Sequence, residues 1–225
     1  MRLVHLEIEI EFAKEISDYS LQQKVYMAIT GKKPKEDKQK AEQNVRIRFL
    51  RDKLAVRWDT KSFGAILEKA PNVNNFAEIV IPLLDRIHAI APIGKLSSRN
   101  FTTYWLLPAP TYEFPALEQK YRETMIVPTA LSRSATDSSI VLDINIKDGM
   151  LHHQSGAMGI EQLLDDYLLF KLEDVPKVFL FLWTGIEERK MIQYSSKEVQ
   201  NYILRSFDHC KSHSDIFERI WREVL

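Results

Sequence analysis

Glycine and cysteine are both scarce in this chain of 225 residues. Seven glycines are few for an enzyme that would hold phosphates in glycine-rich loops, and Gly185 is the last of them. The single cysteine, Cys210, excludes a disulfide within the chain and is typical of the reducing cytosol. These two shortages argue against a phosphate-loop enzyme and against a disulfide-stabilised secreted protein.

Long apolar runs and an excess of one charge are missing as well. No stretch approaches the ~18 consecutive apolar residues that predict a membrane-spanning helix, and no basic region precedes an apolar run at the N-terminus. The 31 basic and 31 acidic residues balance to zero, whereas nucleic-acid-binding proteins are usually net basic. We therefore expect a cytoplasmic protein without a membrane partner, and the charge balance disfavours nucleic acid without excluding it.

Sequence motifs of the common enzyme classes are also absent. The chain has no GxSxG, no HExxH, no phosphate-binding P-loop and no dinucleotide fingerprint. We predict no cofactor and no metal. Enzymatic activity stays open, and a non-enzymatic role is favoured.

Two adjacent segments alternate apolar and polar residues in the manner of a β-hairpin. They are residues 45–50 and 54–59, separated by a polar turn at residues 51–53. Period-two alternation directs the apolar side chains of both segments to one face of a sheet. The other face then carries three arginines: Arg46, Arg48 and Arg57.

Residues 3–12 also alternate strictly, which predicts a half-buried strand. Its polar face carries three glutamates: Glu7, Glu9 and Glu11. A helix ending at Gly31 is expected next, because glycine readily adopts the left-handed conformation that closes helices. Polar residues 32–43 predict an exposed loop that leads into the hairpin.

A second helix and a fourth strand complete the first half. Apolar residues recur at helical spacing from Phe76 to Ala91, with Pro82 inside the pattern, and residues 101–107 alternate as a strand. Strand, helix, strand, strand, helix, strand is the ferredoxin-like βαββαβ order. We predict a ferredoxin-like unit over residues 1–110, in which the second hairpin strand pairs directly with the first strand of the chain.

Residues 111–225 predict a second α+β half packed beside the first. Residues 140–146 alternate as a strand, and the apolar run 178–184 predicts a buried strand. Between them, residues 150–159 are interpreted as a loop and residues 160–168 as an amphipathic helix.

The end of the chain predicts two helices. Ser195 and Glu198 have capping-box spacing and open the first, and Ser214 opens the second. The predicted core of the whole chain includes seven apolar residues: Ile8, Phe49, Trp58, Leu142, Leu164, Phe181 and Ile203.

Histidines are the candidates for metal binding or acid–base chemistry. His209 and His213 are four residues apart, as on one helical face, but no matching ligand pair lies nearby, and Cys210 falls on an apolar stripe. His152 and His153 form a pair of the kind that acid–base catalysis uses. No nucleophile or orienting carboxylate lies near that pair in sequence.

The candidate binding residues are charged side chains on the predicted open sheet face: Arg46, Arg48, Arg57, Glu7 and Glu9. Opposite charges would face each other across strands, which favours a solvated or interface-forming charge ladder. RNA-binding sheet faces carry aromatic residues that stack on bases, whereas alternation here directs Phe49 and Trp58 to the core. RNA binding by paired ferredoxin-like domains is the alternative function, and a histidine-dependent hydrolase or nuclease is the third.

Four short segments carry a resemblance to known sequences: residues 58–63, 87–90, 98–101 and 141–145. They resemble a sporadically distributed bacterial family of uncharacterised proteins of about this length. That family has no assigned activity, so the resemblance implies no functional residue. Residues 1–31 are similar to the start of the CRISPR repeat-processing ferredoxin-like proteins, whose C-terminal glycine-rich loop is missing here.

Together these patterns predict a bacterial, cytoplasmic, non-enzymatic binding or interaction protein. The expected partner is another protein or a second copy of the chain, in a homodimer.

Overall fold

The computed structural model describes residues 1–15, 19–31, 45–68, 71–126, 138–147 and 149–225, and for residues 19–22, 45 and 46 the backbone only. Within these ranges the chain is an α+β protein with one antiparallel sheet. The strands are β1 Arg2–Phe12, β2 Val45–Phe49, β3 Leu54–Trp58, β4 Ser62–Leu67, β5 Lys95–Pro108, β6 Ser139–Ile146, β7 Gly149–Gly159, β8 Val178–Glu188 and β9 Ile192–Gln193. The helices are α1 Tyr19–Thr30, α2 Val73–Ile90, α3 Phe114–Met125, α4 Ile160–Gln162 and α5 Ser196–Arg222.

The strands follow the order β2-β3-β4-β1-β5-β8-β7-β6, with β9 paired to β5. The predicted hairpin is confirmed, because β2 and β3 pair antiparallel with Phe49 opposite Leu54. The predicted direct pairing of β3 with β1 is wrong. β4 lies between these two strands and pairs with both.

β4 has no alternating pattern from which the sequence could predict it. Five of its six residues are buried, so both faces of the strand exclude water. A strand buried on both faces shows no period-two pattern of polar residues. The first half of the chain therefore contains one strand more than the βαββαβ order predicts.

One face of the sheet, the helix face, packs against α1, α2, α3 and α5.

Four of the predicted core residues are buried: Ile8, Trp58, Phe181 and Ile203. Phe49 and Leu164 are half-buried. Leu142 is 47% exposed and its predicted burial is wrong, because β6 lies at the edge of the sheet, where the helices do not cover it.

Helix α5 is one helix of 27 residues, where two were predicted. Ser195 does cap its start, because its side chain accepts a hydrogen bond from the Glu198 N–H at 3.2 Å. Ser214, the predicted second cap, is buried in mid-helix and its hydroxyl donates to the Lys211 carbonyl at 2.8 Å. A serine satisfied within its own helix in this way need not interrupt it.

Several boundaries differ from the sequence predictions. Gly31 follows α1 with φ +67°, which confirms the predicted end of that helix, and α2 continues through Pro82. Residues 150–159 form strand β7, not a loop. The predicted helix at residues 160–168 is only α4 and a π-helical turn over Leu163–Tyr167. The predicted loop at residues 32–43 lies outside the described residues.

The other face of the sheet, the open face, is partly covered by residues 160–175, here called the covering segment. Leu163 and Leu168 of this segment pack on Leu106, Phe179 and Phe181 of the sheet. Beyond this segment the open face carries polar side chains of β1 and β5, and the apolar Val141 at the β6 edge. In the described ranges, no helix combines the length and apolar character needed to cross a membrane.

Candidate functional site

Arg57 and Glu9 form an ion pair on the open face although their strands are not neighbours. Gly64 of β4 lies opposite both residues. A Cβ atom on this glycine would lie 2.5 Å from Arg57 Nε, so the glycine leaves the space through which the arginine crosses β4. The predicted contact between arginine and glutamate is present, one strand further apart than predicted.

The remaining predicted binding residues do not join this pair. Arg48 is exposed on β2, and Ala55 and Ile66 separate it from Glu7 across the sheet. Glu7 instead approaches His5 Nε2 at 3.5 Å. The backbone of Arg46 pairs with Arg57, and its side chain lies outside the described residues.

The centre of the open face is acidic. β1 contributes Glu7, Glu9 and Glu11, and Glu187 of β8 lies in the same row as Glu9, beyond Asn100. Partial burial raises the pKa of Glu9, Arg57 opposes this shift, and Glu7 and Glu11 add to it. This distribution is the opposite of the basic surface that binds nucleic-acid phosphates.

His152 lies on the open face near the start of β7. Its Nδ1 is 2.6 Å from Asp143 Oδ1, and its Nε2 is 3.6 Å from a carboxylate oxygen of Glu187. These residues, with Lys147 and Arg189, border an open cavity of about 750 Å³. Cations and carboxylates both line this cavity. No group of three or more histidine, cysteine or acidic side chains in the described ranges is arranged to hold a metal ion.

His153 projects from the opposite side of β7, because successive residues of a strand alternate faces. Its Nδ1 lies 2.8 Å from His213 Nε2 on α5, and its Nε2 lies 2.7 Å from Ser155 Oγ. The Tyr121 hydroxyl donates to the Ser155 carbonyl at 2.8 Å and lies 2.8 Å from Ser155 Oγ. The four side chains form one network between α3, β7 and α5.

Ser155, His153 and His213 have the spacing of a nucleophile, a base and an orienting group. Ser155 is only 1% exposed, and Tyr121, which contacts its hydroxyl, is fully buried. Burial, with a smaller effect of His213, lowers the pKa of His153 to about 4, and burial lowers the pKa of His213 as well. Ser155 and His153 are both buried, and the network links α3, β7 and α5.

The other predicted histidine and thiol candidates are separate from this network. His209 is exposed on α5, so the predicted alignment of His209 with His213 does not bring the two into one site. Cys210 is buried, and burial raises the pKa of its thiol to about 11. This agrees with the interpretation of Cys210 as a core residue.

Strand β6 forms one edge of the sheet, and β7 is its only strand partner among the described residues. Val141 is 65% exposed on the open face, and Leu142 and Ile144 are 47% and 38% exposed on the helix face. Natural proteins usually protect edge strands with charged residues or proline, yet Asp143 is the only charged residue of β6. Apolar side chains exposed on both faces of an edge strand are typical of an interaction site.

Sequence reasoning missed the partners of the histidines because it interpreted β7 as a loop. A period-two interpretation of residues 150–158 separates His152 from His153 and places Ser155 beside His153. No sequence signal indicated Tyr121 as a partner of Ser155, because Tyr121 lies on α3, more than thirty residues before Ser155 in the chain. No protein-family model matches the chain, and no curated protein matches it.

Proposed function

We propose that the protein is a non-catalytic interaction protein that assembles as a homodimer through the edge strand β6. The observation that carries this proposal is the exposure of Val141, Leu142 and Ile144 on both faces of that strand. A strand added at this edge removes those side chains from water. This burial stabilises the complex by about 25 cal/mol per Å² of apolar area buried. It also extends the backbone hydrogen bonding of the sheet.

A second copy of β6 fits this edge in a self-complementary register. With Leu142 opposite its own counterpart, Ile140 faces Ile144 on the helix face and Val141 faces Asp143 on the open face. This register opposes no like charges. The chain's formal net charge of zero also removes long-range repulsion between copies, and two-fold dimers are the commonest assembly.

We further propose that the first half is a ferredoxin-like unit with β2 added at its edge. In the ferredoxin-like arrangement the first and third strands are central neighbours, and β1 and β4 are neighbours here. On this interpretation β3 is the second strand, β5 is the fourth, and α1 and α2 are the two helices.

The two other candidate functions have less support. RNA binding would place phosphates against Glu7, Glu9 and Glu187 on the open face, where they would be repelled. A histidine-dependent hydrolase or nuclease at His153 would need access to Ser155 or an activated His153, and both are buried. At His152, which contacts Asp143 and Glu187, no serine, threonine or cysteine is among the described residues that line the cavity. Neither arrangement favours these functions over protein interaction.

The oligomeric state tests the proposal directly. Light scattering over a micromolar concentration range is expected to give twice the mass of one chain for wild type. Val141→Lys and Leu142→Lys are expected to give monomers, because a lysine on an edge strand opposes strand pairing. Leu50→Lys is the matched control, because Leu50 is 69% exposed in the turn between β2 and β3, at the other edge of the sheet.

A monomer at every concentration would contradict the homodimer. Equal dissociation by Leu50→Lys would also contradict it, since the effect would not depend on β6. Wild type could instead be monomeric and form a complex with a different protein. If Val141→Lys abolishes that complex, the β6 edge pairs with a strand of the other protein.

A further inference from the structure

Basic side chains converge on a second cavity, near the turn between β2 and β3. Arg2 of β1, Arg51 and Lys53 of the turn, and Lys171 of the covering segment border a cavity of about 280 Å³. That volume is close to the lower end of small-ligand sites, roughly 300–1,000 Å³. The cavity is at the opposite side of the sheet from β6, so it is separate from the proposed dimer edge.

Two carboxylates also border this cavity, and one of them is already neutralised. Glu68 accepts hydrogen bonds from the Leu169 and Phe170 N–H groups at 3.0 and 2.9 Å, and it lies 2.9 Å from His5 Nδ1. Its charge is therefore balanced inside the protein. Arg2, Lys53 and Lys171 then share the rim with one remaining carboxylate, Glu173. The Arg2 guanidinium also donates to the Asp174 carbonyl at 2.5 Å.

Lys53 ends the turn between β2 and β3, and its side chain lies beside the cavity. Lys53 has φ 50°, a left-handed conformation that glycine or asparagine adopts at lower cost. Its ammonium nitrogen lies 5.7 Å from the centre of the Phe170 ring, a cation–π contact that holds the side chain beside the cavity. A left-handed residue after a type I turn is common in hairpin loops, and here the Asp52 N–H donates to the Phe49 carbonyl at 3.2 Å.

We propose that this cavity binds a small phosphorylated ligand, with its phosphate group held by Arg2, Lys53 and Lys171. Guanidinium N–H groups match pairs of phosphate oxygens, and the lysines supply point charges. The cavity volume admits a phosphate group with a small substituent. The proposal does not depend on dimer formation through β6.

Titration calorimetry with inorganic pyrophosphate and inorganic phosphate tests the site. Wild type is expected to bind pyrophosphate, and Lys53→Gly and Lys171→Gln are each expected to weaken binding about tenfold, as loss of one charge-assisted hydrogen bond implies. Lys53→Gly suits the left-handed backbone, so the variant keeps its fold. Lys61→Gln is the control, because Lys61 is exposed at the opposite end of β3.

Three results would overturn the proposal. One is the absence of pyrophosphate binding at millimolar concentration, and another is equal weakening in Lys61→Gln, which would indicate nonspecific attraction. The third is an RNA oligonucleotide that binds through Lys53 and Lys171 more tightly than pyrophosphate does, which would assign these cations to a nucleic acid.

Discussion

At the scale of single residues, the charge of His5 is set by its buried neighbours. His5 stacks on Tyr104, and its ring nitrogens face Glu68 and Glu7. Burial lowers the pKa of His5, and the hydrogen bonds and charges of Glu68 and Glu7 more than offset burial, so its pKa is raised. Such a histidine stabilises the fold fully below its unfolded pKa of about 6.5, and this stabilisation is lost as the pH rises through the folded pKa.

We therefore predict that His5→Gln removes a pH-dependent part of the free energy of unfolding. The difference between wild type and His5→Gln is expected to be larger at about pH 6 than at about pH 9, since protonated His5 pairs with Glu68. Urea denaturation at both pH values measures it, with His209→Gln as an exposed control. A difference that is constant or larger at alkaline pH would contradict the predicted ion pair.

The histidines between β7 and α5 predict the opposite pH dependence. Burial lowers the pKa values of His153, to about 4, and of His213. Groups with lowered pKa values stabilise the fold above the unfolded pKa, and the stabilisation is lost as the pH falls toward the folded pKa. When the pH is lowered from about 7 to about 5, the free energy of unfolding of wild type should fall by on the order of 1 kcal/mol more than that of His153→Gln. Denaturation at these two pH values checks this, and equal losses would contradict it.

At the scale of strands and helices, two glycines allow close packing in different ways. A Cβ on Gly64 would meet the flexible Arg57 side chain, whereas a Cβ on Gly149 would overlap the backbone carbonyl oxygen of Glu187 on β8. A side chain can move away, but a paired backbone cannot do so without disturbing the strand. The second glycine therefore matters for the pairing of β7 with β8.

We predict that Gly149→Ala destabilises the protein by about 1–3 kcal/mol, the usual cost of overpacking. Gly64→Ala should cost only ~0–1 kcal/mol, because it displaces a partly exposed ion pair. Gly94→Ala is the control, since nothing lies within 4 Å of its added Cβ. Chemical denaturation of the three variants ranks their free energies of unfolding. A larger loss of stability in Gly64→Ala than in Gly149→Ala would contradict the prediction.

Strands were predicted where the sequence alternates or forms a long apolar run, as in β8, and were missed where it has neither pattern. β1, β3 and β6 alternate and were predicted, whereas β4 is buried on both sides and was not. The length of α5 also escaped prediction. Ser214 can cap a helix or satisfy its hydroxyl within one, and only packing against the sheet selects the second option.

At the scale of the whole molecule, one sheet runs through both predicted halves of the chain. β5 pairs with β1 on one side and with β8 on the other. α5 packs on both β5 and β8 and also contacts α2. Unfolding either half alone would therefore expose an edge of β5 or β8 together with the apolar face of α5.

We predict that the protein unfolds in one cooperative transition. Of the four tryptophans, Trp58 and Trp105 lie in the first half and Trp183 and Trp221 in the second, so tryptophan fluorescence reports on both halves. Thermal unfolding of Trp58→Phe and Trp221→Phe, each followed by tryptophan fluorescence and by circular dichroism, should give coincident curves within each variant. An earlier transition by one probe would instead indicate two independently unfolding units.

The sequence by itself determined which residues of β1, β2, β3 and β6 face the same way and that α1 ends at Gly31, because alternation and glycine conformation are local properties. The tertiary structure alone decided that β4 separates β3 from β1 and that Arg57 reaches Glu9 over Gly64. It also decided that β6 lies at an edge with Leu142 exposed. Strand order depends on contacts between residues far apart in the chain, and these depend on how well whole surfaces pack rather than on any local pattern.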